Sequence, residues 1–321
     1  MTALPLPALD GRAPLGFLAA LGVLRLVTEH TGHSGARLAW SRRDGTAVLH
    51  DAHADIDSLV TALTAVLADI RPDGVLPGLR ADFPPPGEAP DKLRLTRPEL
   101  RKYAARVADT DGEAGERWLT ALVTDLSVDD RQRADIGLFT APSGRQSMRT
   151  MLEKPLALLR ANPDLLREAL LGWRRYPGVT GEYLDHRVLF DAVDAPSGKP
   201  AERGVPGATW LALMSYPLMR TTAIGAQPMT TCWQDFGRRD GGLRMVYPLW
   251  SAPLDPAAVQ ALLSHPVLRG AAADRLPPGA TLLSVFWVGH AARRRIEGRN
   301  FAGVLTPVSP PTRRARVGRP R

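Results

Sequence analysis

The sequence predicts an α+β protein: irregular helices packed on antiparallel sheet segments, a buried N-terminal helix and a basic disordered C-terminal tail. Three observations predict it. Hydrophobic residues make up 44% of the 321 residues and charged residues 23%, a globular balance. Apolar residues recur at helical spacing through the first two thirds, whereas short strand-like runs gather between residues 220 and 305. Glycine and proline number 29 each, so turns and irregular connections interrupt both patterns.

Residues 4–12 read as a short extended lead. Pro14 suits the first turn of a helix running to about residue 29. Leu15, Phe17, Leu18, Leu21, Leu24 and Leu26 surround that helix with apolar side chains, which predicts burial on several sides. Gly16 and Gly22 would let another element approach its backbone. Arg37–Trp40 and Thr46–His50 read as a hairpin around Asp44-Gly45. Residues 55–70 form a helix with Ile56, Leu59, Leu63 and Leu67 on its buried side. Residues 71–91, centred on Pro84-Pro85-Pro86, have the composition of a linker.

Helices are expected at 98–108 and 114–126, then a short apolar run at 136–140. The next stretch, Ala141 to Arg149, combines a turn, a helix start and two cations. Ser143 and Gln146 stand three apart, the spacing of a capping box. Arg145 and Arg149 lie one turn apart on the helix that follows, and free amides at a helix start suit phosphate. The plainer reading is a packed helix with solvated arginines. A kink is expected at Pro155. A further helix covers 163–173. Residues 174–207 are irregular apart from a short strand near 187–190. A helix at 208–218 precedes strands near 220–224, 229–233 and 244–249, with Arg238 and Arg239 in the loop 237–242. A helix at 256–264, extended at 267–272, leads to a strand at 281–288. Arg293, Arg294 and Arg295 follow it, 301–305 pairs back, and the remainder is disordered. The chain divides into an N-terminal helix-hairpin-helix region (1–90), a mainly helical middle (91–205), an α+β C-terminal region (206–306) and the basic tail (307–321).

The formal net charge of +8 is local. Residues 290–321 hold nine arginines and one acid, Glu297; the other 289 residues carry 32 basic and 32 acidic groups. This pattern favours local contact with a polyanion over a protein basic all round. A solubilising tail is the competing reading. Trp173, Arg174, Arg175 and Tyr176 set cations beside aromatics, a combination suited to backbone contact and base stacking. Cys232 is the single cysteine, so no disulfide forms within the chain and a reducing, cytoplasmic setting is expected. The apolar run from Ala13 to Leu24 is too short to span a bilayer.

Catalytic signatures are sparse. No Gly-rich phosphate loop with Lys-Ser/Thr, dinucleotide fingerprint or Gly-x-Ser-x-Gly elbow occurs, which argues against an ATPase or a nicotinamide enzyme. No cofactor is expected. His50, Asp51, His53, Asp55 and Asp57 form the densest set of metal-ligand types, although Asp55 also suits a helix N-cap. His30 and His33 form a second pair at a helix end. Glu182, Asp185 and His186 could serve general acid-base work, with a surface loop as the plainer reading.

The stretch Pro5-Leu6-Pro7-Ala8-Leu9-Asp10-Gly11-Arg12-Ala13-Pro14-Leu15-Gly16-Phe17-Leu18-Ala19-Ala20-Leu21-Gly22 resembles the start of proteins encoded beside type I-G (formerly I-U) CRISPR effector genes. Ser143-Gly144-Arg145-Gln146-Ser147, Pro206-Gly207-Ala208-Thr209-Trp210-Leu211-Ala212, Tyr247-Pro248-Leu249-Trp250 and the arginine-rich strand end from Arg293 resemble the same family, in the same order. The likeness reaches to about residue 305. Around residues 187–199 the chain departs from it, reading Val-Leu-Phe-Asp-Ala-Val-Asp where the family is richer in Trp, Asp and Arg. The resemblance implies a large-subunit-like component of the crRNA-guided antiviral Cascade complex, without catalytic residues. It implies target DNA, crRNA, other Cascade subunits and the helicase-nuclease as partners, and no membrane. Its modest size for a large subunit implies a separate small subunit or extra copies of another protein. Protein readout would be confined to the protospacer-adjacent motif. The residues expected to contact nucleic acid are Arg145, Gln146, Arg149, Arg238, Arg239, Arg293, Arg294 and Arg295. A metal-dependent hydrolase or nuclease using the His50–Asp57 cluster, and an assembly scaffold without specific DNA contact, remain as alternatives.

Overall fold

The structure, a computed structural model, describes residues 2–87, 92–140, 146–190, 201–237, 242–273, 275–295 and 303–308. β1 (Ala3–Asp10) enters α1 (Pro14–His30), and β2 (Arg37–Trp40) and β3 (Thr46–His50) follow as the expected hairpin. The extended lead is itself a paired strand: β3 lies between β1 and β2, both antiparallel to it. α2 (Ile56–Asp69) starts on Asp55, whose carboxylate accepts from the Ser58 amide at 2.8 Å. α3 (Arg97–Leu122) is broken at Gly112 and runs into β4 (Val123–Val128), paired with β5 (Ala134–Ile136).

α4 (Met148–Ala161) and α5 (Leu165–Leu171) come next. β6 (Tyr176–Pro177), the helical turn α6 (Arg187–Phe190) and β7 (Arg203–Gly204) follow, with β6 paired to β7. α7 (Pro206–Met214) precedes the hairpin of β8 (Thr221–Ile224) and β9 (Gln227–Thr230). β10 (Trp233–Asp235), β11 (Leu243–Trp250), β12 (Val285–Arg294) and β13 (Val304–Pro307) make a four-stranded antiparallel sheet in that order. α8 (Pro256–Leu263) sits between β11 and β12 in the chain. The molecule is α+β, as expected.

α1 is the centre. Every residue from Pro14 to Val27 is buried, as is every residue of α7. The two helices touch through backbone: a Cβ added at Gly22 would lie 1.7 Å from the Leu211 carbonyl oxygen. Gly207 does the same for α7 against α5, where a Cβ would meet the Leu165 oxygen at 2.1 Å. On another side Phe17 packs on Trp40, Tyr247 and Trp250, which joins the first sheet to the last. One hydrophobic cluster draws on residues from all three stretches 1–90, 91–205 and 206–306.

Several expectations are corrected. The stretch 71–87 is not a linker: Val75, Leu76, Leu79 and Phe83 are buried. Its Pro- and Gly-rich backbone leaves carbonyls that regular structure does not pair, and two arginines collect them. Arg160 donates to the carbonyls of Ile70 (2.9 Å) and Arg71 (2.7 Å), while Arg149 serves Asp73, Ala81 and Pro84. The helix predicted to residue 126 ends at Leu122, because Val123 and Thr124 pair with Ile136 and Asp135. The strand near 187–190 is the turn α6. Residues 280–283 form a 3₁₀ turn, and β12 begins only at Val285 after a left-handed Ser284 (φ 60°). The pairing-back strand runs to Pro307; the predicted disorder of the tail beyond Val308 lies outside the described residues. Among the described residues no helix is long and apolar enough to cross a membrane.

Candidate nucleic-acid interface

The helix start expected at Ser143 is displaced by one turn. Ser147 is the N-cap of α4, and its capping-box partner is Thr150: each side chain meets the other's backbone amide, at 3.2 and 2.8 Å. Ser143 and Arg145 lie outside the described residues, as do Arg238 and Arg239. Gln146 is freed from capping and donates through Nε2 to the Glu182 carboxylate.

Arg149 was expected to face phosphate, and this exposure is corrected. The side chain is buried and serves the fold. Nε donates to Glu153 Oε1 (2.6 Å), Nη1 to the carbonyls of Ala81 (2.7 Å) and Pro84 (3.0 Å), and Nη2 to that of Asp73 (2.6 Å). The physical reason is the 71–87 segment, whose carbonyls need a donor fork.

Arg293 is also drawn inward. It is the penultimate residue of β12, not a residue beyond it. Nη1 donates to the carbonyls of Tyr183 (3.1 Å) and Gly303 (3.0 Å), and Nη2 to that of Phe139 (2.7 Å). The Phe139 oxygen also accepts from Tyr216 (3.2 Å). Desolvation lowers the Arg293 pKa to about 10, with Tyr216 and Glu182 opposing, so the group stays cationic at neutral pH.

Glu182 sits across from it, 5% exposed, and is no surface-loop residue. It accepts from Gln146 and, at 3.3 Å, from Thr180 Oγ1. Burial pushes its pKa up to about 7 against the opposing pulls of Lys154, Gln146, Thr180 and Arg293. Glu182 and Tyr183 both hold left-handed backbone (φ 50° and 56°), a costly state for such side chains that surrounding contacts must enforce. Arg293, bonded to the Tyr183 carbonyl, is one such contact. Asp185 is likewise buried and binds Arg175 at 2.6 Å.

Outside this polar interior lies an exposed cationic face. Arg294, the last residue of β12, and Arg295 after it are exposed, and so is Arg187 on α6. His186 feels Arg187 and Arg294 together. Its pKa is lowered first by burial, then by the charges of Arg187, Arg175 and Arg294, against Asp185. Arg174 is exposed and lies over the Tyr176 ring at 5.4 Å. Among the described residues, none of Arg174, Arg187, Arg294 and Arg295 pairs with a carboxylate. Arg187 and His186 were not expected as contact residues. Their only sequence signal is a cation in an apolar run, and the Arg293–Tyr183 bond that brings β12 to this turn joins residues 110 apart.

Other chemistry is quiet. Among the described residues no three His, Cys, Asp or Glu side chains converge in a way that could hold a metal ion. Asp55 is engaged as an N-cap, and Asp51 faces Arg37 at 3.8 Å. Cys232 is buried, and desolvation pushes its thiol up to about 12, far from a nucleophilic thiolate. No protein-family model matches the chain, and no curated protein matches it.

Proposed function

We propose that this chain is a non-catalytic, nucleic-acid-binding subunit of a type I CRISPR interference complex of the Cascade kind. In this reading it works in the cytoplasm with crRNA and the other Cascade subunits, contacts target DNA next to the protospacer-adjacent motif, and meets the helicase-nuclease. The observation that carries the reading is the set of exposed arginines Arg187, Arg294 and Arg295, none paired with a carboxylate among the described residues, the last two standing near the start of a 32-residue segment with nine arginines and one acid. Such a face supplies phosphate contacts that position a duplex without reading its sequence. The ordered family-like motifs support the assignment to Cascade rather than to another nucleic-acid assembly. Of the expected contacts, Arg294 and Arg295 keep that role; Gln146 and Arg293 support the turn at Glu182 and Tyr183, and Arg149 holds the 71–87 segment.

The experiment is co-expression with a crRNA and the effector subunits of the same locus. Co-purification of the chain with a crRNA-containing complex is the expected result. A chain that stays apart from both crRNA and the effector subunits contradicts the proposal.

A further inference from the structure

A cavity at the end of α1 holds three nitrogen groups that the fold leaves unengaged. It lies between α1, α3 and the 71–87 segment, has a volume of about 260 Å³, and is lined by Arg25, Glu29, His30, Gly78, Arg117 and Trp118 among others. Arg25 is 2% exposed and Trp118 1% exposed, with the guanidinium carbon 5.2 Å from the centre of the indole ring. Arg25 donates through Nε to Glu29 (2.8 Å) and through Nη1 to the Met214 carbonyl, whereas Nη2 donates to nothing among the described residues. The Trp118 Nε1 is buried without a hydrogen-bond partner among the described residues, and so is His30 Nε2. The latter stands 3.9 Å from Glu29, too far for a hydrogen bond. The His30 ring packs on Gly78, where an added Cβ would lie 3.2 Å from Cε1.

Buried N–H groups without acceptors cost free energy, and charged ones cost more. Indole and guanidinium nitrogens can only donate, and a neutral imidazole donates from one nitrogen. The missing partner is therefore an acceptor. Charge narrows its class. Arg25 and Arg117 share one carboxylate, Glu29, with Arg117 Nη1 at 3.3 Å from it. The other acid on Arg117, Glu113, is 76% exposed and screened by solvent. The inner group carries one excess positive charge, which a monoanion balances, while Glu29 repels a dianion. A planar carboxylate supplies several acceptor lone pairs for guanidinium and indole N–H groups.

We propose that this cavity binds one small monocarboxylate, held by Arg25 Nη2, Trp118 Nε1 and His30 Nε2. The site is independent of the proposed nucleic-acid role, since none of these residues belongs to the arginine face.

The test follows the Trp118 indole N–H by NMR in the full chain, with Trp118→Phe assigning its line among the seven tryptophans. Sodium benzoate is titrated at constant ionic strength, beside benzamide and inorganic phosphate. Benzoate should move the Trp118 line saturably, and neither benzamide nor phosphate should. Calorimetric titration with benzoate should show affinity falling by about tenfold or more in Trp118→Phe and in His30→Ala. Arg220→Ala, exposed on the adjoining groove, should leave the affinity unchanged. Circular dichroism checks that each variant is folded, and His30→Ala carries the decision if Trp118→Phe is not. No movement of the line, an equal response to benzamide or phosphate, or full affinity in a folded Trp118→Phe or His30→Ala would each overturn the site. In the first of these cases the cavity holds water only.

Discussion

Glu182 joins a buried carboxyl to a left-handed backbone, two local costs at one residue. A buried carboxyl with no ion pair at contact distance among the described residues favours its neutral form, and its pKa of about 7 lies above the ordinary 4.5. The native state binds this proton more tightly than the unfolded chain, so Glu182 contributes stability fully below about pH 4.5 and loses it as the pH rises through 7. The loss is about 3 kcal/mol over that window. Glu182→Gln keeps an acceptor for Gln146 and removes the titration. Denaturant unfolding from pH 5 to 8 should therefore show the variant more stable than wild type at pH 8 and flatter with pH. A variant that tracks the wild-type slope would place the proton elsewhere. At this scale the sequence was partly legible. Asp55 as N-cap followed from local spacing. The roles of Gln146, Arg149 and Arg293 did not, because Gln146 meets Glu182 36 residues away, Arg149 meets carbonyls 65 to 76 residues away, and Arg293 meets those of Tyr183 and Phe139, 110 and 154 residues away.

Among the elements, α1 decides the architecture. Its apolar circumference and its glycines were readable in order, and the structure puts Gly22 against the Leu211 carbonyl. Gly22→Ala must separate α1 from α7 or distort one of them. We expect a loss of about 3 kcal/mol or more, larger than the roughly 1–3 kcal/mol usual for overpacking, because the obstacle is backbone and not a side chain that can rotate. Thermal unfolding measures it; a change below about 1 kcal/mol would show that the helices can part freely. The helices of strong period, α1 and α2, and the first hairpin were legible for the same reason: local pattern and tertiary burial agree. β4 was not, since Val123 and Thr124 leave the helix only to pair with β5. The 71–87 segment was not, because its order comes from Arg149 and Arg160 rather than from its own composition.

At the scale of the whole molecule, charge and fold are organised separately. The body is neutral and closes around one core, while β12 brings the basic end of the chain to the turn at His186 and Arg187. Concentration of arginine in the last 32 residues was plain in the sequence. Which arginines face solvent was not: one neighbour in the Arg293, Arg294, Arg295 run points into carbonyls, while the other two are exposed. The central claim is that the exposed set contacts the phosphate backbone. The direct measurement is duplex-DNA affinity as a function of salt, for the wild type and for the chain carrying Arg187→Ala, Arg294→Ala and Arg295→Ala together. Three lost phosphate contacts should make the log–log salt slope shallower by about 2–3, with thermal stability unchanged. A slope equal to wild type in a folded variant would contradict the account and move the contact to another surface.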